Sequence, residues 1–147
     1  MPRPKRPVRK RVKRSRLRTK VVPWGAIKRH NRKRAPSSLE KAVYAMLEAE
    51  QVPFIREKVI GRMHVDIFLD PSTVIELQGC FWHGCLVCNR VTTKAQQAAI
   101  VKDARREYIL RKRGYDVVVI WEHDVKHHPA RVQAMLRGIW DGIQKAA

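Results

Sequence analysis

The sequence predicts an α/β fold in three layers, with a mixed sheet flanked by helices, preceded by a basic arm. Two observations carry this prediction. From residue 37 onward, apolar residues at helical spacing alternate with short apolar segments, in the order α-β-β-β-α-β-α. Residues 1–36 show neither pattern and hold 16 Lys or Arg and no acidic residue. We therefore expect an arm over residues 1–36 and a folded domain over residues 37–147.

Three segments have the apolar spacing of helices. The first begins after Ser37, because Glu40 three residues later completes a capping box, and it runs to about residue 51. A long polar helix is predicted over residues 94–113, before a glycine that suits the position after a helix. An amphipathic helix over residues 130–143 closes the chain.

Four segments have the patterns of strands. Residues 54–59 follow a proline, and residues 63–69 alternate apolar residues with polar or aromatic ones. An Asp-Pro-Ser turn separates this second strand from a third over residues 73–78. Residues 117–121 are continuously apolar, which indicates a strand inside the sheet. A loop rich in cysteine and glycine, residues 79–93, lies between the third strand and the long helix.

The positive charge of the chain is concentrated at its start. The formal net charge is +19, whereas residues 37–147 hold 16 basic and 13 acidic residues, a net charge of +3. The arm is predicted to be disordered or extended and to bind a polyanion, because each Lys or Arg on a phosphate releases counterions. Its apolar residues 21–24 would contact the folded domain or a base. A targeting signal, or a segment threaded through an RNA assembly, is the alternative. The arm residues expected to contact nucleic acid are Arg9, Lys10, Arg11, Lys13, Arg14, Arg16 and Arg18.

The composition argues against membrane and exported proteins. No apolar run approaches the roughly 20 residues needed to span a bilayer. The basic start is not followed by the apolar stretch of a signal peptide. The 3 cysteines lie close together in a chain without an export signal, so we expect reduced thiols or metal ligands rather than disulfides.

Two carboxylates are predicted to face each other in the sheet. A hairpin centred on Pro71 sets Asp66 on the second strand opposite Glu76 on the third. Gln78 shares that face, because side chains alternate along a strand. Paired carboxylates repel unless a cation lies between them, and hard oxygen ligands suit Mg²⁺. The alternative is that one of the two simply pairs with a lysine or an arginine.

A second cluster lies in and beyond the loop. Cys80, Cys85 and Cys88 have the spacing C-x₄-C-x₂-C, and His123 is a distant fourth candidate ligand. Such a set favours structural zinc, with buried inert thiols as the alternative. Either of the two adjacent histidines a few residues later would be an alternative to His123.

The loop carries a segment with a specific resemblance. Gly79-Cys80-Phe81-Trp82-His83, after an apolar strand and before a cysteine cluster, resembles the GCFWH signature of Vsr (very-short-patch-repair) endonucleases. The resemblance covers residues 37–124 and includes Glu40, Asp66 and Asp103. The order of elements also resembles the PD-(D/E)XK nuclease superfamily, which implies a restriction-endonuclease-like core. The domain is therefore similar to an endonuclease domain with a structural zinc.

The resemblance implies a catalytic metal site. Asp66 would bind Mg²⁺ together with the backbone carbonyl of Leu77. Glu76, where Vsr proteins have an apolar residue, would restore a second carboxylate ligand. Gln78 occupies a catalytic position at which the superfamily has lysine and Vsr proteins have histidine, so the activation of water would differ in detail.

The resemblance also assigns the residues that act on water. His83 would act on the attacking water, and Glu40 and Asp103 would orient His83 or the waters around the ion. A cation beside a near-neutral imidazole supplies what phosphodiester hydrolysis requires. The alternatives are that Glu40 only completes the capping box, and that Asp103 only pairs with Arg106 or Lys102.

The same resemblance places a structural zinc and a DNA contact. The family's zinc positions correspond here to Cys80, Cys85, Cys88 and His123. Phe81 and Trp82 would wedge between base pairs, as the corresponding aromatics do beside a T·G mismatch in Vsr enzymes; packing as core is the alternative. The family's further intercalating tryptophan has no counterpart, because residues 92–101 contain no aromatic residue.

We therefore expect a Mg²⁺-dependent endonuclease that nicks or cleaves double-stranded DNA, without a small-molecule cofactor. Its role would be mismatch repair, or that of a phage or mobile-element nuclease related to homing endonucleases. The expected location is the bacterial cytoplasm or nucleoid. Two alternatives are a non-catalytic nucleic-acid-binding protein on a decayed nuclease fold and a basic component of a ribonucleoprotein assembly.

Overall fold

The computed structural model describes residues 35–89 and 92–147. The predicted basic arm, with its candidate DNA contacts from Arg9 to Arg18, lies outside these residues except for its last two positions, so its predictions stay predictions. The elements are α1 (Ser38–Ala49), β1 (Ile55–Ile60), β2 (Met63–Leu69), β3 (Thr73–Gln78), α2 (Lys94–Lys112), β4 (Asp116–Trp121), α3 (Glu122–His127) and α4 (Pro129–Ala146). Among the described helices, none is both long and apolar enough to cross a membrane.

The four strands form one mixed sheet in the order β1-β2-β3-β4. β1, β2 and β3 form an antiparallel meander, and α2 connects β3 to β4, which runs parallel to it. The crossover requires a long connection, because parallel neighbours cannot be joined by a tight hairpin. The predicted α/β fold with a mixed sheet is confirmed.

Helices cover both faces of the sheet and give it three layers. On one face, α1, α3 and α4 pack on a core that includes Ile67, Ile75 and Ile120. On the other face, Leu110 of α2 packs with a smaller core that includes Phe68. Phe68 therefore breaks the apolar and polar alternation of β2 because its own face is also covered by a helix.

The short helix α3 was not predicted. It begins directly after β4, spans only 6 residues and buries Val125 alone. A helix of this length has too few apolar residues to show a 3.6-residue period, so the pattern could not reveal it. Pro129 at the start of α4 then separates the two helices, because proline is well tolerated in the first turn.

Candidate active site and metal centre

The β2–β3 hairpin brings two carboxylates side by side. Ile67 pairs with Ile75, and continuing this register by one residue sets Asp66 beside Glu76. Both side chains are partly buried. The Leu77 backbone N–H donates to Asp66 Oδ2 at 2.8 Å, which fixes this carboxylate against β3.

Glu76 forms an ion pair with an arginine of α2. Arg106 Nε and Nη2 donate to Glu76 Oε1 at 3.0 and 2.9 Å, and Nη2 also donates to the backbone carbonyl of His64. Burial raises the pKa of Glu76 to about 7 against the lowering effect of Arg106, and the charges of Asp66 and Asp103 raise it as well. The sequence left open that one carboxylate pairs with an arginine; in the structure Glu76 is that residue.

Burial, a hydrogen bond and three nearby charges act on the pKa of Asp66. Burial raises its pKa, and the charge of Glu40 raises it further. The Leu77 N–H and the charges of Arg106 and His83 lower it. Charged residues of α1, the loop and α2 therefore lie near enough to this carboxylate to change its pKa.

A histidine and a carboxylate of this site are hydrogen-bonded. His83 Nδ1 lies 2.6 Å from Asp103 Oδ2, and both side chains are partly buried. An ionised carboxylate only accepts hydrogen bonds, so Nδ1 carries the hydrogen and Nε2 of a neutral ring keeps its lone pair. Asp103 thus contacts His83 rather than either basic residue of its own helix that the sequence had offered as the alternative.

Glu40 belongs to the cap of α1 and to the neighbourhood of Asp66. The Ser37 N–H donates to Glu40 Oε2 at 2.6 Å, and the Glu40 N–H donates to Ser37 Oγ at 3.2 Å. The capping box predicted from the sequence is therefore confirmed. Glu40 is nevertheless buried and close enough to Asp66 to influence its ionisation.

Gln78 lies partly buried at the end of β3, where it pairs with Trp121 of β4.

Three cysteines and a histidine converge at the end of the sheet. The ligand atoms of Cys80, Cys85, Cys88 and His123 all lie within 4.8 Å of one another. Cys80 Sγ is 3.4 Å and Cys85 Sγ is 3.3 Å from His123 Nδ1. Tetrahedral zinc bonds imply a sulfur-to-nitrogen edge of about 3.5 Å, so these separations suit one ion. The group could hold a metal ion such as zinc.

The surroundings shift the pKa values of two of these thiols in opposite directions. Burial raises the pKa of Cys80 to about 12. Burial also opposes ionisation of Cys85, but the backbone N–H groups of Cys88 and Val87 donate toward its sulfur, and the net effect lowers its pKa. A cation at the centre of the group would favour the thiolate form of each cysteine, since metal ligands must be deprotonated.

Residues that the sequence analysis missed support this cluster from outside. The Cys80 N–H donates to Glu122 Oε2 at 3.0 Å. The side-chain amide of Asn89 donates to the carbonyls of Cys80 and Cys85 at 2.8 and 3.0 Å. His123 Nε2 lies 3.5 Å from Asp124 Oδ1, so the ring nitrogen facing away from the sulfurs has a carboxylate partner. An asparagine directly after the last cysteine is the one local signal, because asparagine commonly bonds nearby backbone.

Phe81 and Trp82 lie on the surface of the loop. They are 63% and 75% exposed and meet edge to face, with ring centroids 5.1 Å apart. They do not pack as core. Beneath them, the buried Gln96 of α2 donates its amide to the Phe81 carbonyl at 2.6 Å and closes a capping box with Thr93. Gly84, at φ +63°, passes close to the same glutamine.

We expect Gln96→Ala to lower the free energy of unfolding by about 1–3 kcal/mol, because it removes a buried hydrogen bond and half of a capping box. The measurement is chemical unfolding of the two proteins. Gln97→Ala is the matched control, since its exposed amide makes only a 3.4 Å contact with Thr92 Oγ1. Equal stability of the two variants would contradict a supporting role for Gln96.

Comparison with known proteins identifies a solved domain of similar fold. No family model matches the chain, and no curated protein matches it. Among solved structures, the catalytic domain of the homing endonuclease I-Bth0305I is similar, at a TM-score of 0.56 and 19% sequence identity. The similarity covers 73% of this chain and 97% of that domain. The described chain therefore has the fold of a nuclease catalytic domain.

Proposed function

We propose that the protein is a metal-dependent DNA endonuclease with a Vsr-like active site. The observation that carries the proposal is the His83–Asp103 pair beside the carboxylates Asp66 and Glu76. Neither pair alone is unusual in a protein. Together, on the fold of a homing-endonuclease catalytic domain, they offer a base and a cation site at one place.

The metal ligands would come from β2 and β3. Asp66 would hold Mg²⁺ together with the backbone carbonyl of Leu77. Glu76, which the sequence offered as a second carboxylate ligand, is instead paired with Arg106 in the structure. The oxygen donors and the partial burial of Asp66 suit a hard cation. A bound Mg²⁺ would supply positive charge against the negative charge that develops on the phosphate.

His83 would take the proton of the attacking water. Asp103 holds Nδ1 as a donor, which leaves Nε2 to accept that proton while the water oxygen bonds to phosphorus. The bond from phosphorus to the leaving oxygen would break, and that oxygen would take a proton from solvent water. The Asp103 carboxylate would stabilise the imidazolium that forms on His83. Glu40 would position groups around Asp66, and Gln78 would offer a neutral amide where related enzymes have a basic side chain.

We assign zinc a structural role. Four protein ligands leave no open position on a tetrahedral ion, so Cys80, Cys85, Cys88 and His123 would not take part in the reaction. Two of these ligands flank His83 in the sequence. The ion would therefore fix the loop that carries His83 against the end of β4.

We favour a nuclease of a phage or mobile element over mismatch repair. The similar solved domain comes from a homing endonuclease, and the chain lacks an aromatic residue at 92–101. The exposed Phe81 and Trp82 would contact a base step in double-stranded DNA. Gln78, an uncharged residue at a catalytic position, is what favours the second candidate, a non-catalytic DNA-binding protein on the same fold.

Supercoiled plasmid distinguishes the two candidates. We expect the full chain to nick or linearise plasmid in the presence of Mg²⁺ and to stop when EDTA is added. Binding of the same plasmid is measured in EDTA. A protein that binds DNA but cleaves none with Mg²⁺ or Mn²⁺ would be the non-catalytic binder.

Removing residues 1–35 should weaken binding to all DNA sequences alike. If roughly 6–10 of the arm's basic side chains reach phosphates, the affinity of the full chain falls about 10³- to 10⁵-fold between 50 and 200 mM salt. The truncated protein should show a much flatter dependence, measured by fluorescence anisotropy.

The cleavage position should not move when the arm is removed, because phosphate contacts position a protein without reading sequence. Mapping the ends produced from one randomised duplex library by both proteins tests this. A changed cleavage motif would instead show that the arm, with its apolar residues 21–24, selects the site.

A further inference from the structure

Arg106 lies in the carboxylate site formed by Asp66, Glu76 and Asp103, where the sequence offered it only as an alternative partner of Asp103. It is three residues after Asp103 on α2, so both side chains leave neighbouring turns of one helix. Its guanidinium reaches across to the sheet and bonds both Glu76 on β3 and the backbone carbonyl of His64 on β2. Its position is thus set by three elements.

The site is rich in acidic residues, so a positive side chain beside the catalytic ion would favour the approach of a phosphate. Glu40, Asp66, Glu76 and Asp103 bring four carboxylates to the place where, in the proposed function, a DNA phosphate would approach. Gln78 is uncharged, so the end of β3 supplies no cation. The Arg106 charge acts on both sheet carboxylates.

The Arg106 side chain is also accessible to solvent. The Arg106 side chain is 26% exposed, whereas its partner Glu76 is 14% exposed. Guanidinium groups carry five N–H donors, and the two nitrogens engaged here leave others available. A planar group with several donors is well suited to a phosphate.

We propose that Arg106 contacts a non-bridging oxygen of the scissile phosphate and supplies the positive charge that Gln78 lacks. Glu76 is then the positioning residue of Arg106 rather than a ligand of the catalytic ion. This inference rests on the proposed function. The competing view is that the Glu76–Arg106 pair only fastens α2 to the sheet.

Arg106→Ala should lower the single-turnover cleavage rate about 10²- to 10³-fold, the usual effect of removing one donor from a developing oxyanion. The Mg²⁺ concentration for half-maximal rate should stay unchanged. Ethylguanidinium added at millimolar concentration should restore part of the rate to Arg106→Ala but none to Asp66→Ala. A merely structural arginine would not respond to this rescue.

Glu76→Gln tests the second half of the proposal. We expect it to lower the rate without raising the Mg²⁺ requirement, and we expect the double variant with Arg106→Ala to be no slower than Arg106→Ala alone. A raised Mg²⁺ requirement in Glu76→Gln, together with an unaffected rate in Arg106→Ala, would make Glu76 a metal ligand and overturn the proposal.

Arg111→Ala is the matched control. Arg111 lies on the same helix, pairs with Glu107 at 2.9 Å and donates to the Val117 carbonyl, so it has the same kinds of partner away from the carboxylate site. It should change neither rate nor DNA binding. Similar losses in Arg106→Ala and Arg111→Ala would leave only a structural role for Arg106.

Binding without divalent ions gives a readout that does not need cleavage. Loss of one phosphate contact should reduce the slope of log affinity against log salt by about 0.9 in Arg106→Ala and leave Arg111→Ala unchanged. If the wild-type protein never cleaves DNA, the proposed function fails. The salt slope still shows whether Arg106 contacts a phosphate. An unchanged salt slope and an unchanged cleavage rate in Arg106→Ala would refute the phosphate contact.

Discussion

Asp66→Ala and His83→Ala should each lower DNA cleavage by at least about 10²-fold while changing the affinity for uncleaved DNA little. A general base contributes about 10²- to 10⁴-fold to a rate, and loss of the principal carboxylate of a cation site removes charge stabilisation as well. Most affinity comes instead from contacts with phosphates along the duplex, which neither side chain provides. Single-turnover cleavage with Mg²⁺ and binding in EDTA separate the two effects.

His64→Ala is the control for this pair of variants. His64 is exposed and lies two residues before Asp66 on β2, and only its backbone carbonyl contacts the site, through Arg106. Its rate should equal that of the wild type. Cleavage that survives in both Asp66→Ala and His83→Ala would remove this active site from consideration and leave the hydrogen bond between His83 and Asp103 with a structural role.

The hairpin that carries Asp66 and Glu76 could be predicted from the sequence alone. β2 and β3 have the predicted bounds, because a tight turn at residues 70–72 fixes which residues pair. Once that register is set, the two carboxylates must be neighbours. Local rules sufficed here because the two strands are adjacent in the chain.

The contacts made by α2 could not be predicted in this way. Its polar residues occur at almost every helical position, so the pattern does not reveal whether Arg105 or Arg106 faces the sheet. The bond between Asp103 and His83 joins a helix to a loop 20 residues away. The prediction that Asp103 acts beside His83 rested on the resemblance to Vsr proteins, because no periodic rule connects two such positions.

The metal group could be predicted from the sequence only in part. Cysteine spacing indicated a metal site, but the choice of His123 over His127 and His128 depends on where β4 ends. In the structure β4 ends at Trp121 and α3 follows at once, which turns His123 toward the sulfurs. The pattern could not show that turn, because α3 was itself not predicted.

Removing the metal should unfold the domain rather than merely stop cleavage. We expect about one tightly bound zinc per chain, and a strong chelator or Cys85→Ser should abolish the cooperative unfolding transition. Structural zinc in zinc-finger peptides contributes about 10–16 kcal/mol of apparent binding energy, which is as large as the roughly 5–15 kcal/mol stability of an ordinary domain. Metal analysis of protein purified without added zinc, followed by circular dichroism, measures both quantities.

His127→Ala and His128→Ala are the controls, because neither residue belongs to the described metal group. Both variants should keep the ion and the fold. Asp66→Ala should keep them too, so that loss of cleavage with the zinc retained identifies the catalytic site, and loss of both identifies the structural one. A protein that is zinc-free, stably folded and reactive at all three thiols would refute the assignment. The loop around His83 would then be held by protein hydrogen bonds, including those of Asn89, Gln96, Asp103 and Glu122.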